Sequence, residues 1–121
     1  MKKPNKSDLL QTYIKSAQMH GEATYKGDYK VANSQAKQLK KIYQVMEQNN
    51  CLADEMLNEL LADESISVRS WAAAHALGLR IRISEAEDTL EKVAAQPEIG
   101  ILGFNAKMAL KVWKEQGYIK F

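Results

Sequence analysis

Apolar residues recur along this chain at intervals of three and four, the spacing that places them on one face of a helix. Leu9, Leu10, Tyr13, Ile14 and Ala17 form the first stripe, opened by Ser7-Asp8 and closed near Tyr25-Lys26-Gly27. Asp28 opens a second helix to about Gln48, with Ala32, Ala36, Leu39, Tyr43 and Met46 inward. Asn49-Asn50 interrupts the pattern, and a third helix is predicted from about Leu52 to Ala62 on Met56, Leu57, Leu60 and Leu61. A fourth begins after Ser65-Ile66-Ser67 and loosens at Gly78. Ser84 is the expected cap of a fifth, with Glu85 and Glu87 in the first turn, where carboxylates complement the helix dipole. That helix should reach Ala95, with Pro97 as a stop, and a sixth should run from about Ile101 to Gln116 before Gly117. Short connections make successive helices antiparallel neighbours.

Within this pattern there is a repeat. Ala73-Ala74-His75-Ala76-Leu77 and Ala106-Lys107-Met108-Ala109-Leu110 share the form Ala-x-x-Ala-Leu, 33 residues apart. In the same register Val68 falls on Ile101, Trp71 on Phe104 and Leu79 on Val112. Helix pairs repeating at this period are the signature of an α-solenoid. The expected architecture is an all-α single domain over residues 1–121, built as a HEAT-like solenoid of about three antiparallel hairpins. The first pair echoes the pattern only at Ala36-Lys37-Gln38-Leu39, as terminal repeats often do.

The block from Leu60-Leu61-Ala62-Asp63 through Val68-Arg69-Ser70-Trp71-Ala72-Ala73 to Ala76-Leu77-Gly78 resembles a HEAT repeat. By that resemblance, Asp63 and Arg69 would hydrogen-bond across the turn in a structural role. Together with His20-Gly21-Glu22-Ala23-Thr24, Gly27-Asp28-Tyr29-Lys30, Ala32-Asn33, and Ala106-Lys107 before Trp113, nearly the whole chain is similar to a family of small bacterial proteins called domain of unknown function 2019. The likeness implies a HEAT-like fold and brings no activity with it. Small helical proteins of this kind are often immunity partners of toxins.

Composition narrows the classes further. With 45% hydrophobic and 26% charged residues the chain is an ordinary globular one. Its single Cys51 excludes an internal disulfide and a multi-cysteine metal site, and reads as a buried small apolar side chain. The basic start MKKPNKSDLL lacks the apolar region of a secretory signal, and no stretch is apolar enough to span a membrane, so a cytoplasmic protein is expected. Catalytic candidates are confined to His20, His75 and Cys51, which lie on separate helices without a local motif. His-Glu-x-x-His spacing and a phosphate-binding glycine loop are both absent from the sequence. The reading is therefore of a protein that is not an enzyme and takes no cofactor or metal.

Charge separates by helix. Residues 51–62 and 84–96 each carry net −3, whereas 28–48, 67–80 and 100–115 each carry net +2, inside an overall +2. In stacked hairpins the second helices share one face, which predicts a mildly basic inner surface and an acidic back. Lys30, Lys37, Arg69, His75, Lys107 and Lys111 on the second helices are thus the candidate partner-binding residues. Asp54, Glu55 and Glu87 are the alternative set, should the partner be basic. The expected partner is another protein, a toxin in the immunity version. Nucleic acid held in a basic concavity is the lesser alternative, and self-association through Tyr118, Ile119 and Phe121 a third.

Overall fold

The computed structural model describes residues 5–96 and 100–119, so Pro97 and Phe121 lie outside the described residues. Six helices account for nearly all of them: α1 (Lys6–Lys26), α2 (Tyr29–Glu47), α3 (Asn50–Leu60), α4 (Ile66–Leu79), α5 (Ile83–Ala94) and α6 (Ile101–Gln116). No strand occurs among the described residues.

Helix starts follow side chains that can satisfy a first-turn amide. Asn5, Asp28, Asn49 and Ser65 accept from the amides of Asp8, Val31, Leu52 and Val68. Ser7 and Ser84, the expected caps, lie inside helices instead. Asn5 lies two residues upstream of Ser7, and the N-cap of α5 is Arg82, a left-handed residue (φ 48°) with no side-chain cap bond. Gly27 and Gly117 close α1 and α6 in the left-handed conformation that glycine adopts without a steric penalty. Gly78 does not end α4; the helix continues to Leu79, and Arg80 takes the left-handed cap position at φ 60°.

One core runs through the molecule. It joins Leu9, Tyr13 and Ala17 of α1 to Leu39, Tyr43 and Met46 of α2, and continues through Met56, Leu57, Val68, Ala72 and Leu77 to Leu90, Val93, Ala106 and Leu110. The alanines of the repeated motif are where α4 and α6 approach their neighbours: Ala73, Ala76 and Leu77 are fully buried, and Ala106 and Leu110 nearly so. Gly21 marks another close approach. A Cβ there would overlap Ser67 Oγ and lie 3.1 Å from Ser67 Cβ, so the backbone of α1 packs directly against the Ser67 side chain of α4 at this point.

The helices do not pack evenly along the chain. α4 is central, in contact with α1, α3, α5 and α6, while α2 packs chiefly on α1 and secondarily on α3. The helix of the first hairpin that lies along α4 is α1, not α2. The first hairpin thus enters with its first helix in the layer of the later second helices. The hairpins are as expected, but only α4 and α6 of the three basic helices are packed neighbours.

Candidate functional site

That packing order decides which of the candidate residues can act together. Lys30 and Lys37 are exposed on α2, and Lys107 and Lys111 are exposed on α6, a helix with which α2 shares no substantial packing. A continuous basic face along α2, α4 and α6 is therefore not formed. α4 contributes little to it. Arg69 folds back, donating from one guanidinium nitrogen to the carbonyls of Asp63 (2.7 Å) and Glu64 (2.9 Å). The Asp63 carboxylate in turn accepts from the Ser65 amide at 2.8 Å. Both members of the expected turn pair brace the α3–α4 turn, each through backbone groups rather than through a direct side-chain bond.

His75 is not a surface residue. It is fully buried, sharing a 2.7 Å hydrogen bond with the Tyr13 hydroxyl and lying against the rings of Tyr43 and Trp71. Burial lowers its pKa to about 3 and raises that of Tyr13, so both are neutral at ordinary pH. The sequence places Tyr13 and His75 62 residues apart, and nothing local to either signals the other. Cys51 is exposed rather than buried. It falls in the first turn of α3, before the helix has turned toward the core at Ala53.

The acidic alternative set is internally engaged. Asp54 receives a two-pronged bond from Arg82 at 2.7 and 3.3 Å, which also reaches Glu85 at 3.0 Å. Glu55 and Glu59 flank Lys6. Glu87, only partly exposed, accepts from the Trp113 indole at 3.0 Å. Asp88 pairs with Lys92, and Glu91 with Lys114. An acidic back exists in sequence, yet much of its charge is met within the molecule.

The least satisfied surface is the outer face of α6. Ile101, Phe104 and Met108 fall on one side of that helix at intervals of three and four and are 43%, 61% and 39% exposed. Their register equivalents in α4, Val68 and His75, are fully buried, at 0% exposure each. Trp71, the equivalent of Phe104, is half-buried with its ring edge-on to His20, centroids 5.0 Å apart. The first hairpin covers this face of α4; no described helix covers it on α6. Lys107 and Lys111 edge the α6 stripe, and among the described residues neither has an ion-pair partner. At the C-terminal end Ile119 packs against the core while Tyr118 stays exposed.

The stripe was readable as the Trp71–Phe104 and Val68–Ile101 register, but not its exposure, which depends on which helix the first hairpin covers. Among the described residues no cluster of His, Cys, Asp and Glu could hold a metal ion, and no helix is long and apolar enough to cross a membrane. Comparisons with protein-family models, curated proteins and solved structures find no match to this chain.

Proposed function

We propose that the protein is a non-catalytic binding module that masks another protein through the outer face of α6. The observation that carries this reading is the contiguous Ile101–Phe104–Met108 stripe, open to solvent and bordered by Lys107 and Lys111. Contiguous exposed apolar surface with a charged border is a common mark of a protein contact. The occupant it suits is an amphipathic helix of a partner, with apolar residues over Phe104 and carboxylates opposite the two lysines. Such a contact provides the aromatic anchor on which interface energy concentrates, and the lysines accelerate encounter with an acidic partner. Masking of this kind is what an immunity-type or regulatory protein performs. A second copy of this chain fits less well, because a two-fold contact centred on Phe104 and Met108 would bring Lys107 of each copy together.

The test begins with a photo-crosslinking amino acid at position 104 in cells, with position 37 on α2 as the control. The crosslinked protein is identified, purified and titrated against the wild-type chain and against F104E and K107E/K111E. F104E should weaken binding by about 30-fold or more, and the double charge reversal should slow association and flatten its salt dependence. Equal affinity for all three chains, or adducts at position 37 but not 104, overturns the assignment. A crosslink only to the chain itself, with a dimer by light scattering, does the same.

A further inference from the structure

α2 rests on α1 and, less extensively, on α3, and no other described helix packs substantially against it. Its apolar stripe, with Leu39, Ile42 and Met46, is turned into the core. The opposite third of its surface, about 120° of arc at 100° per residue, holds Tyr29, Lys30, Asn33, Lys37, Lys40 and Lys41, all exposed. No acid occurs between Tyr29 and Met46. Asp28, just before the helix, accepts from the Val31 amide as its N-cap, and Glu47 is the last helical residue.

Among the described residues none of these four lysines has an ion-pair partner, whereas Lys6, Lys92 and Lys114 are each paired. Lys37 and Lys41 stand one turn apart, a like-charged spacing that works against the helix. The array therefore does nothing for the fold. At a rise of 1.5 Å per residue it extends over about 16 Å, from Lys30 to Lys41. At its N-terminal end stands Tyr29, 73% exposed and the most exposed large hydrophobic side chain among the described residues.

We propose that the outer face of α2 binds single-stranded nucleic acid, the lysines meeting successive phosphates and a base stacking on Tyr29. The length of the array suits about four nucleotides, the low end of single-strand sites. The surface is separate from the α6 stripe, and the proposal does not depend on the role given to that stripe. A bilayer surface would call for apolar side chains to insert, and this arc of α2 has no aliphatic one. A protein contact would call for a desolvated centre poor in lysine, and here lysines run the length of the strip. A duplex keeps its bases stacked on one another and offers Tyr29 no ring face. Only a single strand uses the charge and the exposed ring together.

The probe is a fluorescein-labelled oligothymidylate, its anisotropy titrated with the intact chain over a series of salt concentrations. Binding should saturate at low salt, and log K against log salt should fall with a slope of about −3, the value for four phosphates on a single strand. K37E/K41E should weaken binding by at least about tenfold and reduce the slope to about −1.5. Y29A should weaken it by about fivefold or more without changing the slope, and Y29F should bind as the wild type does. K107E/K111E, on α6, should leave it unchanged. All substituted side chains are exposed, and circular dichroism checks that each variant is folded. The proposal is overturned by no saturable binding at low salt, by full affinity in Y29A, or by equal losses in the α2 and α6 charge reversals. Binding to a duplex, or to a polyglutamate peptide of equal charge, as tight as to the oligothymidylate overturns it too.

Discussion

Because His75 is enclosed by Tyr13, Tyr43 and Trp71, its affinity for a proton differs sharply between the folded and unfolded chain. The unfolded imidazole titrates near 6.5, the folded one near 3. Between those values the unfolded state binds more protons, so stability is fully present above about pH 6.5 and declines as pH falls toward 3. From pH 7 to pH 5 this one residue should remove about 2 kcal/mol. Urea unfolding of the wild type and of H75L at the two pH values checks it. The variant is less stable at pH 7, having left the Tyr13 hydroxyl without its partner, but should lose far less on acidification. An equal loss in both proteins would place the titration elsewhere. Gly21 offers a second residue-scale test. Alanine gains about 1 kcal/mol of helix propensity, yet its Cβ overlaps Ser67 Oγ and presses on Ser67 Cβ, and overpacking typically costs about 1–3 kcal/mol. G21A should therefore be less stable than wild type, and in an S67A background the same change should be neutral or stabilising. A stabilised G21A single variant would show that α4 shifts freely here.

At the scale of elements, periodicity located every helix, and α6 runs over the expected Ile101–Gln116. Starts were less secure wherever several capping residues stand in a row. Asn5, Ser7 and Asp8 can each cap a helix, and the backbone geometry selects Asn5. The start of α5 could not be read at all, because arginine has no oxygen with which to cap an amide and Ser84 lies within reach in sequence. The α4–α5 turn holds two left-handed arginines, Arg80 and Arg82. A residue with a Cβ in that conformation costs about 1 kcal/mol relative to glycine. Arg80 offsets it only through an exposed 3.1 Å bond to the Gly117 carbonyl. Arg82 binds Asp54 and Glu85 and ties α5 to α3. R80G should accordingly raise stability by about 0.5–1 kcal/mol. R82G should gain little or nothing, since the backbone relief is matched by the lost pairing. Denaturant midpoints in the opposite order would mean that the Arg80 side chain, not its backbone, governs the turn.

Across the whole molecule, the Ala-x-x-Ala-Leu repeat marked buried positions on α4 and α6, but not which faces would be left open. Local pattern sets each helix and its inward stripe; the order in which hairpins stack depends on contacts such as Tyr13 with His75, which no window of sequence contains. That order divides the lysines of α2 from those of α6 and puts His75 out of reach of a partner. It also gives two equivalent faces opposite fates, which makes a direct test. Val68→Ala removes methyl groups from a fully buried site and should cost about 2 kcal/mol. Ile101→Ala, its counterpart 33 residues on, removes side chain that is already 43% exposed and should cost no more than about 0.5 kcal/mol. Phe104→Ser should be similarly mild. An apolar face of α6 that contributes this little to folding owes its character to something other than the core. Should I101A instead prove as destabilising as V68A, the α6 stripe would belong to the core of the folded chain, and the binding role assigned to it would fall.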